Sequence, residues 1–362
     1  MQKAFFRNKF LFILLLLAIG IKLISLNNHL VEVYYTYGFY PFLSKGLRIL
    51  FGWLPFSFGD LLYFSAFIIL SYLLVRAYKF LRRKNIQYKG FIILKSLVIG
   101  FLLIYILFQV LWGLNYSRQG IAVQLGLNVK PYSITDLAEV TSVLQQRLNG
   151  AAEEVDTLHR SQTNNNKYLF GGGVTAYKSA EINFPFLHYD HPSLKSSLYS
   201  SVAHYFGFTG YYNPFSGEAQ INTMVPSFLK PFVVTHEMAH QVGYAKENEA
   251  NFVAFLASHN AADPQFRYSV YYELYLYAVR EVGRRDTLLY HQLQGSLHPL
   301  VKKDNRILRA YLMHTDNPVE PYITAFYDQY LKLNNQPKGM QTYNEVIAWL
   351  IAYQKKYGTE AL

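Results

Sequence analysis

The sequence contains no cysteine, which excludes disulfides, thiol nucleophiles and cysteine-ligated metal. Acidic residues are nearly missing from one part of the chain. Residues 1–113 hold 2 Asp+Glu against 13 Lys+Arg, a net charge of +11, whereas residues 114–362 hold 21 of each and are neutral. A basic chain ordinarily raises nucleic acid as a partner. Here the whole excess is confined to an apolar third, so no nucleic-acid partner is expected. Repeats and low-complexity tails are absent as well. The one glycine cluster, Gly171-Gly172-Gly173, lacks the Lys-Ser/Thr of a phosphate loop and reads as a tight turn or hinge.

The apolar third is built for a bilayer. Phe10 to Leu26 is a near-continuous apolar run preceded by Lys3, Arg7 and Lys9. A cleaved signal peptide is the rival reading, with Ala18-Ile19-Gly20 as a weak site. The apolar run continues past that point, which favours an uncleaved anchor. Residues 27–57 are aromatic and amphipathic and read as an interfacial loop or short helix lying on the membrane. Two more spans follow, giving three at about residues 10–26, 58–78 and 93–113. Between the second and third lies a basic loop with Arg76, Lys79, Arg82, Arg83, Lys84 and Lys89. Three spans place this loop and the N-terminus on one side, and positive charge marks that side as cytoplasmic. Everything after Leu114 is then outside.

From Leu114 the composition is that of a globular domain. Leu137, Val140, Val143, Leu144 and Leu148 give helical spacing from Ile134 to about Arg160, with Ser133 or Thr135 as cap. Lys195 to Phe206 reads as another helix. Tyr211, Tyr212, Asn213-Pro214 and Gly217 form a turn, and Glu218 to Thr223 alternates like a short strand. After Pro264 the chain is helical and rich in tyrosine. The expected fold is therefore mostly α, with a three-helix transmembrane region (1–113) and an extracytoplasmic α+β domain with a small sheet (114–362).

The chemistry is concentrated between Phe228 and Ala262. His236-Glu237-x-x-His240 places two imidazoles at i and i+4, on one helix face, where both can reach one metal ion. Glu237 then lies close enough to polarise a metal-held water. Seven residues after His240 comes Glu247, and tetrahedral catalytic zinc is commonly held by two His and one Glu. Glu249 is the competing third ligand, but it points about 200° around the helix from Glu247, so both cannot serve. Phe232, Val233, Val234, Met238, Ala239 and Val242 make the motif helix a buried one, where unpaired His and Glu would be costly. Gly243 stands where a helix C-cap needs a left-handed residue, letting a second helix return Glu247 to the metal. His188, His191, His204, His259, His291, His298 and His314 lack ligand spacing and read as structural or surface groups.

This stretch resembles the gluzincin metallopeptidases, in which a second helix carries E-x-x-x-D or E-x-x-A-N after HExxH. The resemblance implies a zincin-like catalytic domain with Glu247 as third ligand. It places Asn251, one turn later, at the residue that orients a zinc-bound His, a position more often occupied by Asp. It implies an edge strand before the motif helix that pairs with extended substrate, here Ala219, Gln220, Ile221 and Asn222. The metzincin pattern does not fit, because its third His would fall on Lys246. Among the tyrosines, Tyr271, Tyr272 and Tyr275 are candidates for donating a hydrogen bond to an oxyanion. Across nearly its full length the chain also is similar to an uncharacterised family of bacterial polytopic membrane proteins. The matching pieces are LPFSFGDLLY (54–63), WGLNYSRQG (112–120), TGYYNPFSGEAQIN (209–222) and the HEMAHQVGYAKENEAN core.

The sequence thus leads to a multi-pass protein of the bacterial cytoplasmic membrane carrying one Zn2+ per chain. Its expected function is hydrolysis of peptide bonds, with His236, His240 and Glu247 as ligands and Glu237 as general base. The expected partners are the lipid bilayer and a peptide or protein substrate, including those of the cell envelope. Two alternatives share the site: a zinc amide hydrolase acting on envelope substrates, and a catalytically silent scaffold. An intact Glu237 argues against the scaffold, which needs no general base.

Overall fold

The computed structural model describes residues 2–81, 87–339 and 345–362. Arg82, Arg83 and Lys84 of the expected cytoplasmic loop lie outside the described residues. Thirteen α-helices of nine residues or more carry the described chain: α1 Gln2–Ser25, α2 Tyr40–Gly52, α3 Phe58–Leu81, α4 Gln87–Leu111, α5 Ile134–Glu154, α6 Asn166–Ala180, α7 Lys230–Gln241, α8 Glu247–Ser258, α9 Pro264–Arg285, α10 Thr287–Gly295, α11 Pro299–Thr315, α12 Glu320–Leu333 and α13 Val346–Tyr357. Three of these helices are long and apolar enough to cross a membrane, over Asn8–Ser25, Phe58–Phe80 and Ile93–Leu111. Their side chains stay largely uncovered by the rest of the protein. An apolar surface of that extent marks a membrane or protein contact.

Helices α5 to α11 and α13 share one core. Leu137, Val140, Leu144 and Leu148 of α5 repeat every three to four residues and are fully buried. They pack with Val270, Leu274, Ala278 and Val282 of α9 in the same cluster. Ser133 caps α5 by accepting from the Asp136 N–H, and Asp136 returns the bond to the Ser133 N–H, a capping box. Gly171-Gly172-Gly173, expected as a turn or hinge, lies inside α6. The reason is a close approach: a Cβ on Gly173 would stand 2.6 Å from Val234 Cγ1 of α7. Gly173 lets α6 pack tightly on the motif helix, and Gly172 lets it pack against Phe266 of α9.

Three short strands, β1 Leu194–Ser196, β2 Gly210–Asn213 and β3 Glu218–Ile221, form a mixed sheet in the order β1-β3-β2. The expected helix over Lys195–Phe206 is therefore replaced by a strand followed by short helical turns at Ser200–Phe206. Tyr211 and Tyr212 belong to β2, and the reversal falls on Pro214–Gly217. Asn213 Oδ1 there accepts from the Phe215 and Ser216 N–H groups, and Gly217 takes a φ of +69°. β3 is central, parallel to β1 and antiparallel to β2. Ala219, Gln220, Ile221 and Asn222 are all buried. With both neighbours paired, β3 has no free edge to offer a substrate, and that expectation is corrected.

Residues 31–52, read from sequence as a loop or short helix on the membrane, are helical throughout and fold back onto α7. The last carbonyls of any helix lack partners within it. In α7, Gln241 O accepts from Tyr40 Oη at 3.0 Å, Ser44 Oγ at 3.0 Å and Arg48 Nη1 at 3.2 Å. His240 O accepts from Trp112 Nε1 at 3.2 Å, and Gly243 O from Arg118 Nη1 at 3.0 Å. Arg118 is itself buried in an ion pair with Glu32 at 3.0 Å. All these donors precede residue 119, so the end of the motif helix is held by groups beside the spans.

Candidate metal centre

α7 begins with Pro231 in its first turn, where a missing N–H is harmless. It ends in a left-handed Gly243 with φ +94°, where the Tyr244 N–H reaches back to Ala239 O at 3.0 Å. That reversal starts α8 at Glu247 and lays it against α7. The result is convergence. Glu247 Oε2 stands 3.2 Å from His236 Nε2 and 3.7 Å from His240 Nε2. One ligand atom from each of the three buried residues lies within 4.8 Å of the others. Glu249 turns away, 3.6 Å from Lys246 Nζ and against Gly120.

The donor set fits a metal ion. His240 Nδ1 lies 2.7 Å from Tyr244 O. It donates there, which leaves Nε2 to face Glu247 and, once the Nε2 proton is displaced, fixes the tautomer a ligand needs. Tyr327 Oη donates to Glu247 Oε1 at 2.9 Å, so the other oxygen of that carboxylate is the one turned to the imidazoles. The three side chains contact one another directly. Burial opposes ionisation of Glu247, yet bonds from His236 and His240 outweigh it and hold the carboxyl well below its usual range. Burial likewise opposes the charge on His240, and the Glu247 carboxylate outweighs it, raising the imidazole to about 9.

Glu237 projects into the same cavity from the adjacent position of α7. Its Oε2 is buried without a hydrogen-bond partner. Burial pushes its carboxyl up to about 7, against the pull of His236 and His240. β2 runs close alongside: a Cβ on Gly210 would stand 2.6 Å from Glu237 Oε1 and 3.0 Å from Gln220 O. Only glycine leaves room there for both the strand and the carboxylate.

Two groups of expected site residues are placed differently by the structure. Asn251 lines the cavity, but neither of its amide atoms has a partner, and His236 Nδ1 is unpaired too. The orienting bond expected from Asn251 is not formed, and orientation falls to Tyr244 O and Tyr327. Tyr271, Tyr272 and Tyr275 point into the core instead of the cavity. Tyr271 Oη donates to Leu362 O at 2.7 Å and Tyr272 Oη to Asn305 Oδ1 at 2.7 Å, while Tyr275 is buried. The opposite face of α9 supplies Glu273, Tyr277 and Arg280 to the cavity. Their spacing of four and three residues follows the helix period. Burial raises the Glu273 carboxyl above its usual range. That face was legible as the break in the apolar pattern of α9, whereas the tyrosine count pointed to the wrong side.

The cavity has a volume of about 830 Å³, a size suited to a small-molecule or short-peptide ligand. Sequence spacing gave no sign of Tyr327, Tyr116 or Tyr330. These arrive from distant segments, with Tyr116 Oη 3.4 Å from Tyr330 Oη and the Tyr327 and Tyr330 rings stacked 5.8 Å apart. His204, read as structural, also lines the cavity.

No curated protein and no solved structure matches the chain. Residues 35–351 match the family described as "Protein of unknown function (DUF3810)". That match runs from the helix holding the end of α7 to the last core helix, and on it the chain belongs to the DUF3810 family.

Proposed function

We propose that this protein is a membrane-anchored, zinc-dependent metallopeptidase of gluzincin type, with His236, His240 and Glu247 holding one Zn2+. The observation that carries the reading is the convergence of three buried ligand atoms within 4.8 Å, beside a buried carboxylate in a ligand-sized cavity. When bound, zinc supplies a Lewis acid that polarises a carbonyl and acidifies a coordinated water to a pKa near 7. The chain's own residues do the rest. Glu237 is placed to accept a proton at its carboxylate and to hand it to the leaving amine. Its position favours this, because its buried Oε2 has no hydrogen-bond partner in the protein and is left to take that proton. Tyr327 holds Glu247, and Tyr244 O holds His240, so the ligands keep their geometry while the proton moves.

The cytoplasmic membrane is the proposed location, with the metal centre outside the cytoplasm. The charge asymmetry supports this: 13 basic against 2 acidic residues before position 114. Two measurements test the reading. Protein purified from membranes and dialysed against micromolar zinc should hold about one zinc per chain, and His236→Ala should hold none. A reporter active only in the cytoplasm, fused after Leu362, should be silent. A metal-free wild type or an active reporter would refute the corresponding part.

A further inference from the structure

The cavity of the metal centre does not stop at the globular domain. Ile104, Phe108 and Trp112 all line it. They are spaced i, i+4, i+8, so they form one stripe along α4 and its end. Ile104 sits seven residues inside the third span, which ends at Leu111. At 1.5 Å per residue the cavity wall therefore reaches about 10 Å into a hydrocarbon layer about 30 Å thick. Ile104 is 62% exposed, so the wall is open there. Tyr63 of the second span lines the same mouth. From Phe108 the stripe leads straight to the metal. The Phe108 and Trp112 rings are 6.1 Å apart, and the Trp112 and His240 rings 5.9 Å.

The other wall of the mouth points to the same solvent. α11 and α12 contribute Leu312, Ile323 and Tyr327 to the cavity. The same helices and the turn between them carry Met313, Val319, Tyr322 and Phe326 outward, with Tyr322 77% and Phe326 75% exposed. Tyr322 and Phe326 are one helical turn apart, an apolar face of the kind that lies in a membrane interface. A water-filled mouth would not be rimmed by two apolar spans and an exposed aromatic face.

We propose that the ligand enters laterally from the bilayer and is an amphiphile anchored by a hydrocarbon chain. The chain lies along the Ile104-Phe108-Trp112 stripe, and an amide or peptide head group reaches His236, Glu237 and His240. This inference rests on the metal reading above and specifies its substrate class.

Alkyl hydroxamates, which chelate zinc through the head group, separate the two claims. Acetohydroxamate, octanohydroxamate and dodecanohydroxamate would be titrated against zinc-loaded protein in lipid nanodiscs, with aqueous free ligand fixed by dialysis. Burying each methylene gives up to about four-fold in affinity, so affinity should rise at least a hundred-fold from two to twelve carbons. Ile104→Trp, which fills the stripe, and Phe108→Ala, which breaks it, should each shrink the twelve-to-two-carbon ratio ten-fold or more. Because the ratio is taken within one preparation, a partly unfolded fraction cancels. A flat series with acetohydroxamate still bound, or a ratio indifferent to both variants, would overturn the lateral entry and leave the metal centre standing. Failure of every member to bind, with no zinc retained, would overturn the metal reading and this inference with it.

Discussion

Replacing Glu237 by Gln keeps size and polarity and removes the ability to take a proton, and the structure gives this change two separable signatures. The first is energetic. The carboxyl is fully buried, and burial raises it from 4.5 to about 7. A folded-state value above the unfolded one means that ionisation opposes folding. The penalty is nearly absent at pH 4.5, grows between 4.5 and 7, and is complete above 7. There it amounts to about 3 kcal/mol in the metal-free protein. The neutral amide escapes it, so metal-free Glu237→Gln should melt roughly 6–12 °C above metal-free wild type at pH 8. At pH 4.5 the two should melt together. With zinc bound, the nearby cation offsets the charge and the gap at pH 8 should narrow. The second signature is catalytic. Loss of a general base typically lowers turnover 10²- to 10⁴-fold, with zinc content unchanged. The assay is thermal unfolding in detergent with and without chelator, paired with a comparison of membrane species accumulating in Glu237→Gln, deletion and wild-type cells. Identical melting at both pH values would refute the buried-carboxylate argument. A Glu237→Gln strain indistinguishable from wild type would refute catalysis.

Further outcomes follow from the same geometry. Glu247→Ala should lose zinc, whereas Glu249→Ala, whose side chain faces Lys246 and Gly120, should retain it; metal analysis of both distinguishes them. Tyr327→Phe removes the bond to Glu247 Oε1 and should weaken zinc binding about 10-fold or more in chelator competition. Gly210→Ala pushes a methyl group against Glu237 Oε1. It should lower turnover about 10²-fold, read as accumulation of the species found with Glu237→Gln, while zinc stays bound. Because metal-free His240 holds its proton up to about 9, zinc must displace it. Zinc affinity should climb about ten-fold per pH unit from pH 6 to near 9 and then level off, as measured by competition with a chelator of known pH dependence.

Sequence by itself determined whatever depends on neighbours along the chain. Apolar runs long enough for a bilayer fall at Asn8–Ser25, Phe58–Phe80 and Ile93–Leu111, within a few residues of where composition put them. His236 and His240 share a helix face because i and i+4 must. Ser133, offered with Thr135 as a cap, marks a helix start, and Gly243 a helix end. Tertiary structure decided everything carried by contacts across the chain. Gly171-Gly172-Gly173 looked like a hinge because glycine permits one, but the approach of Val234 fixed it as helix. Glu218 to Thr223 alternated like a short strand, which the gluzincin resemblance made an edge, yet pairing of Glu218–Ile221 with β1 as well as β2 put it in the middle. Tyr271, Tyr272 and Tyr275 were chosen by type, while burial of that face of α9 turned Glu273 and Tyr277 to the cavity instead. Tyr327 reaches Glu247 across 80 residues, and Tyr40 reaches Gln241 across 201. Helical periodicity is written into residues a few places apart. The partner of a buried polar group is chosen by packing among all segments at once, and no local pattern encodes it.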